Sequence, residues 1–269
     1  MTHVPTALWM ALAAALGTTP AVASSTDWFE TQGGRIRLVT TGTPDTQGQI
    51  TGVLDIALDP GWKTYWRDPG DSGVPPSLKI SASSNNVKAA EIAFPPPQRH
   101  DDGYSKWAGY DRSVSLPVTF TLASPEEPAL IDADIFLGIC ETVCIPVQAQ
   151  LLLDPAADPD NVADAAIVSQ ALKALPAPAA PDFGVTVFSK DDTRVVVEAK
   201  LPEGATSAEF FIAGADGYTF GTPERFDNDR KVLFSVEILN RPKEAPTEGG
   251  LHYTLVTSSG SVSGILPYL

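Results

Sequence analysis

Two cysteines, Cys140 and Cys144, are separated by three residues in Cys140-Glu141-Thr142-Val143-Cys144-Ile145-Pro146, and the chain has no others. Thiols at this spacing can join in a disulfide that closes a very short loop. In the chain-entropy view a bridge constrains the unfolded chain more as its loop lengthens. This pair is therefore better suited to opening and closing than to stapling, and thiol-disulfide exchange is the leading chemistry. A fully extended segment would hold the two Cα atoms about 13 Å apart, whereas a disulfide needs roughly 4.4–6.8 Å. The oxidised segment must turn, either as a tight hairpin loop over 141–143 or as one helical turn. Apolar strand patterns at 135–137 and 147–151 favour the hairpin. It should leave both sulfurs at a loop edge, open to a second thiol. Pro146 has no N–H for a strand ladder and helps define where pairing stops.

The elements that must hold this hairpin read as β-structure. From about residue 28 to 153, short runs alternate apolar and polar positions between Gly/Pro turns. Ile36, Leu38 and Thr40 form one run, Ile50, Val53, Leu54, Ile56 and Leu58 another, and Val114, Leu116, Val118 and Phe120 a third. Many short strands with no long helix imply an all-β chain whose first domain, 28–153, is an immunoglobulin-like β-sandwich. Residues 154–181 read as a connector: a short helix over 163–175 capped by Asn161 or Asp160, then a stiff Pro/Ala linker at 176–181. A second, smaller β-sandwich spans 182–269. It has no cysteine and one histidine, His252, and reads as a structural or docking module.

The 269 residues carry a formal net charge of −15, which argues against nucleic acid and anionic lipid as partners. Residues 1–23 read as a signal peptide: an apolar run at 7–16, then the small-residue site Ala21-Val22-Ala23, with cleavage after Ala23. The n-region lacks Lys and Arg. No later run reaches the roughly 20 apolar residues of a membrane span, so the mature chain is expected not to insert. An oxidising compartment follows, where a cysteine pair can form a disulfide. Apart from the two cysteines, His100 and His252 offer little for a metal site, and one histidine per domain leaves little material for a hydrolase constellation. No cofactor is expected.

Four segments, in order, carry a resemblance. They are Pro60-Gly61-Trp62-Lys63-Thr64-Tyr65-Trp66-Arg67-Asp68-Pro69-Gly70-Asp71-Ser72-Gly73-Val74-Pro75-Pro76, Phe94-Pro95-Pro96-Pro97, Tyr110-Asp111-Arg112-Ser113-Val114-Ser115-Leu116-Pro117-Val118, and the cysteine segment to Pro146. Together, residues 28–153 resemble the N-terminal periplasmic domain of DsbD-type and ScsB-type protein-disulfide reductases. The second β domain looks closer to the longer ScsB-like forms. The resemblance implies a periplasmic domain whose Cys140–Cys144 pair relays electrons to oxidised periplasmic client proteins. Family members continue into a membrane-embedded and a thioredoxin-like domain. This sequence ends at Leu269, so the expected donor is a separate membrane thiol reductase or thioredoxin-like protein.

The resemblance also implies a cap loop over the cysteines, matching residues 100–110. Gly103 stands where a shielding aromatic is usual, so Tyr104 or Trp107 would have to cover the disulfide. Asp101, Asp102 and Glu141 could raise a thiol pKa, or could simply be solvated loop charge. Trp62 and Tyr65 could line the site, although an aromatic core explains at least two of Trp62, Tyr65 and Trp66. Cys144 is the working choice for the mixed disulfide. The alternative class is a non-enzymatic two-domain β binding module, or a copper-stress accessory protein, with a structural disulfide.

Overall fold

The computed structural model describes residues 24–70, 72–101, 103, 105–214, 217–244, 246–247 and 249–269. The expected signal segment, Asp102 and Tyr104 lie outside the described residues. The first sandwich holds β1 (Phe29–Thr31), β2 (Gly34–Thr40), β3 (Gln49–Leu58), β4 (Thr64–Gly70), β5 (Ser77–Ile80), β6 (Val87–Ile92), β7 (Gln98–Asp101), β8 (Lys106–Tyr110), β9 (Val114–Leu122), β10 (Ile131–Cys140) and β11 (Cys144–Leu153). One sheet runs β1-β2-β3-β9-β6, the second β11-β10-β5, and a three-stranded sheet runs β4-β8-β7.

The period-two alternation of each strand explains the layers. Ile36 and Leu38 of β2 and Ile50, Leu54 and Ile56 of β3 enter the main core with Leu116, Val118 and Phe120 of β9. From the opposing sheet, Ile131, Ala133, Ile135, Leu137 and Ile139 of β10 meet them. Val39 and Val53 point to the other face, where an uncovered apolar pair would face water. The helix α1 (Val162–Lys173) covers them with Val168 and Ala171. Asn161 caps α1 by accepting from the N–H groups of Ala163 and Asp164, both at 3.0 Å. Ser24 Oγ donates to Asp164 at 2.6 Å, tying the start of the described chain to the helix.

The segment expected as a linker is instead built into sheet structure. Its β12 (Ala177–Pro178) pairs in parallel with the last strand, and Ala179 N donates to Ser263 O at 2.9 Å. A sheet edge tolerates proline because no ladder donor is needed on its outer side. The second sandwich contains β13 (Gly184–Lys190), β14 (Arg194–Lys200), β15 (Ala208–Ala213), β16 (Thr219–Phe220), β17 (Glu224–Asn228), β18 (Lys231–Asn240), β19 (Leu251–Thr257) and β20 (Gly260–Leu266). Its sheets run β12-β20-β19-β15 and β13-β14-β18-β16, with β17 on β18. Among the described residues the chain is thus all-β apart from α1 and one short 3-10 turn.

The two sandwiches share apolar surface. Phe211 and Ala213 of β15 join the first core, where Trp66 meets Phe211 edge-on at 5.9 Å. Arg99 crosses the boundary to donate to Phe210 O at 3.1 Å.

Candidate redox site

Strands β10 and β11 pair in register through ten residue pairs, from Ile131–Leu153 to Cys140–Cys144. The last pair carries a disulfide across the strand ends, with Cα atoms 4.1 Å apart, and Glu141-Thr142-Val143 form the hairpin loop. The turn expected from the spacing is therefore a hairpin. Its two cysteines are not equally open, however. Cys144 is exposed, whereas Cys140 is 1% exposed. The expectation that both sulfurs stand open at the loop edge is corrected for Cys140.

Strand alternation explains half of this difference. The odd-numbered residues 131–139 of β10 face the main core, so Cys140 lies on the opposite face, the face that carries exposed Phe136 four residues back. What buries it is a separate cluster of Tyr65 and Trp107, outside the main core. The leading end of β4 docks on the free side of β10. Lys63 N donates to Cys140 O at 2.8 Å, Cys140 N donates to Lys63 O at 2.9 Å, and Thr64 Oγ1 donates to Gly138 O at 2.9 Å. These bonds satisfy the backbone of the buried cysteine and set Tyr65 beside it.

Two glycines make room for the tyrosine ring. A Cβ on Gly73, whose φ is +127°, would lie 2.5 Å from Tyr65 ring carbons. A Cβ on Gly138 would lie 3.0 Å from Val74 Cβ and 3.5 Å from the Tyr65 ring. The Tyr65 hydroxyl reaches the other cysteine, 3.4 Å from Cys144 Sγ. One ring thus covers the buried sulfur's residue and touches the exposed sulfur.

Trp107 of β8 packs edge-on to Tyr65, with centroids 5.8 Å apart. His100, its cross-strand partner on β7, stacks on it at 3.9 Å, and Lys63 Nζ sits 4.5 Å from its ring centroid. His100 Nε2 is buried with no hydrogen-bond partner among the described residues. Burial pushes the His100 pKa below the ordinary imidazole value; Asp111 opposes this and Lys63 reinforces it.

The remaining expected site residues fall elsewhere. Asp101 is exposed and spends its carboxylate on the β7–β8 turn, accepting from Gly103 N at 2.9 Å. Trp62 packs on the main core and over Gly33, where a Cβ would meet its ring at 2.1 Å. It does not join the cluster around Cys140. Trp66 lies in the main core with Trp62 packed against it, so of the three aromatics only Tyr65 joins the cysteine cluster. The sequence singles out neither Lys63 nor His100 for a role beside the disulfide: Lys63 stands only within a matching segment, and His100 is weighed as a metal ligand, as hydrolase material and as part of the cap stretch. Lys63 was within reach, because in extended backbone residues 63 and 65 share a face, and Lys63 bridges Cys140 just before β4 begins. The stack of His100 on Trp107 needs the β7–β8 register.

The site is a cross-strand disulfide at the end of an immunoglobulin-like sandwich, open at one sulfur and shielded by aromatic rings at the other. Among the described residues no group of three or more His, Cys, Asp or Glu could hold a metal ion. Residues 38–156 match the family model described as "Thiol:disulfide interchange protein DsbD, N-terminal". The resemblance carried by the four sequence segments holds over this part of the chain. The crystal structure of the N-terminal periplasmic domain of ScsB from Proteus mirabilis superposes with a TM-score of 0.70 at 20% identity, covering 91% of this chain and 99% of that one. The fold of both sandwiches is therefore shared with that domain. A conserved domain protein from Bacillus anthracis aligns at 10% identity over 85% of this chain and 75% of its own, with a TM-score of 0.24, and carries no argument. No curated protein matches the chain.

Proposed function

We propose that the protein is a periplasmic thiol-disulfide exchange protein that relays electrons through Cys140 and Cys144. The observation carrying this reading is the asymmetry of the pair, one cysteine exposed and its partner buried under Tyr65 and Trp107. Exchange needs access to one sulfur only, in line with the bond to be broken.

A donor thiolate attacks Cys144 Sγ. The donor–Cys144 bond forms, the Cys140–Cys144 bond breaks, and the electron pair leaves on Cys140 as a thiolate. The donor's second thiol, as its thiolate, then attacks the donor sulfur of the mixed disulfide and expels Cys144 as a thiolate. The donor is now a disulfide and this protein a dithiol. With an oxidised client the steps reverse: the Cys144 thiolate attacks, and Cys140 resolves. The Tyr65 hydroxyl donates to the Cys144 thiolate, and the Lys63 ammonium brings positive charge to the cluster, which favours thiolate over thiol. Trp107 with Tyr65 keeps foreign thiols off Cys140, and residues 100–110, which contribute Trp107, are the matching cap stretch.

The donor is a separate membrane thiol reductase or thioredoxin-like protein, and the clients are oxidised periplasmic proteins. Residues 1–23 act as the signal peptide with cleavage after Ala23, residues 28–153 form the redox domain, and 182–269 a second domain. No described helix is long and apolar enough to cross a membrane.

Trapping tests the assignment. The Cys140→Ser variant, keeping Cys144, should accumulate mixed disulfides with an aromatic disulfide reagent and with periplasmic proteins. The Cys144→Ser variant should not. Equal trapping by both, or none by either, overturns the relay. A structural bond would instead show a reduction potential below about −300 mV.

A further inference from the structure

Away from the disulfide, the boundary between the sandwiches forms an open cleft of about 240 Å³. Its walls come from both: Trp66, Arg67 and Phe94 from the first, His252, Thr254 and Ser263 from the second. The volume lies just below the range of about 300–1,000 Å³ typical of drug-sized ligands, so it suits a compact occupant.

Arg67 is the unusual wall. Its guanidinium lies 4.9 Å from the Phe94 ring centroid and 5.9 Å from that of Trp66. Burial pulls its pKa down, with Glu91 and Tyr110 acting the other way. Glu91 acts only at range. Among the described residues Arg67 makes neither an ion pair nor a hydrogen bond. A guanidinium carries five donors in a planar fork shaped for a carboxylate, and a half-buried charge without a partner is costly. Trp66, 1% exposed, lines the same cleft, and its Nε1–H also lacks an acceptor among the described residues. His252 adds a second basic group; burial holds its pKa down, and the Arg67 charge acts in the same sense.

The geometry points to an anion site between the two sandwiches. It takes a carboxylate carried on a compact apolar tail, with Arg67 as the fork, His252 opposite, and Phe94 and Trp66 against the tail. A carboxylate neutralises the guanidinium and repays its desolvation. The occupant touches both sandwiches, so it clamps their boundary. Two sources offer this chemistry, a free short-chain organic acid and a peptide C-terminus ending in an apolar residue. The inference stands apart from the exchange reading, since no cysteine lines the cleft.

Titration calorimetry of the oxidised full chain tests it with isocaproate, the neutral isocaproamide, and N-acetyl-alanyl-leucine. The acids should bind saturably and the amide should not. Tighter binding of isocaproate identifies a small acid as the source; tighter binding of the capped dipeptide identifies a peptide end. Arg67→Gln should weaken the better acid by about tenfold or more, the loss expected of a charge-assisted contact, with its melting transition retained. Should Arg67→Gln fail to melt cooperatively, the acid-to-amide ratio on the unaltered protein and a weaker loss in His252→Ala decide. Equal binding of acid and amide, unchanged affinity in folded Arg67→Gln, or no binding of either acid overturns the site.

Discussion

Two hairpins, one in each sandwich, are closed by different means. In the second, β19 and β20 pair through seven residue pairs, from Leu251–Leu266 to Thr257–Gly260, with no covalent link. The Thr257 hydroxyl closes that turn, donating to Gly260 O at 2.9 Å and accepting from Ser259 N at 3.2 Å. In the first, β10 and β11 pair over ten residues and end in a disulfide. A hydroxyl suffices to close the one, so the longer ladder of the other, with its alternating apolar face, is expected to hold without a covalent clasp. On the proposed relay the Cys140–Cys144 bond then contributes by being broken, not by holding the hairpin.

The sharpest way to break this comparison is to remove the bond. Replacing both cysteines, Cys140→Ala with Cys144→Ala, should abolish disulfide exchange with a dithiol donor. It should cost at most about 2 kcal/mol of stability, the chain-entropy figure for so short a loop. A loss of several times that in denaturant titration would show the bond to be structural and the hairpins unlike after all.

Next in size is Tyr65→Phe, which keeps the ring over Cys140 and removes only the hydroxyl beside Cys144. A hydrogen bond to a charged group contributes about 1.5 kcal/mol or more, and one pKa unit is about 1.4 kcal/mol. In reduced protein lacking Cys140, the Cys144 thiol pKa should rise by about one unit. Thiolate absorbance against pH measures it. An unchanged pKa would leave Tyr65 a packing residue only.

On the other hairpin, Thr257→Val should lower stability by about 1 kcal/mol, the net worth of an ordinary hydrogen bond, leaving exchange untouched. Thermal and denaturant unfolding read the first, donor oxidation the second.

The smallest effect concerns His100. Its pKa is lowered in the folded chain, chiefly by burial. Above its ordinary value of 6.5 the ring is neutral in both states, so its contribution to stability is fully present there. As pH falls below that value the unfolded chain takes up the proton first, and stability is lost towards the folded pKa. His100→Phe keeps an aromatic stack on Trp107 and should flatten part of this acid slope. His252 is shifted the same way and should account for a further part. Stability against pH for each variant is the measurement, and an unaltered slope in both would reject the assignment.

Much of this was legible in the residues. Alternation in β2, β3, β9 and β10 marked the sandwich, because a strand with one buried face must repeat every second residue. The cysteine spacing demanded a turn, because an extended segment cannot bring the sulfurs together. Asn161 and Asp160 both offered the capping chemistry that starts α1, and Asn161 supplies it. Less legible was the fate of residues 176–181, whose proline content suits a linker and a sheet edge equally. Trp62 and Tyr65, three residues apart, gave no sign of parting to different clusters.

By itself, then, the sequence determined the strands, the turn and the chemical pair, since these follow from local periodicity and from bond lengths. Only the tertiary structure decided that the two sulfurs are unequal. Alternation turns Cys140 away from the main core, so its burial depends on Lys63, Tyr65 and Trp107 arriving from β4 and β8, some 33 to 77 positions earlier in the chain. Contacts between segments that distant are set by sheet order and packing, which no local pattern encodes.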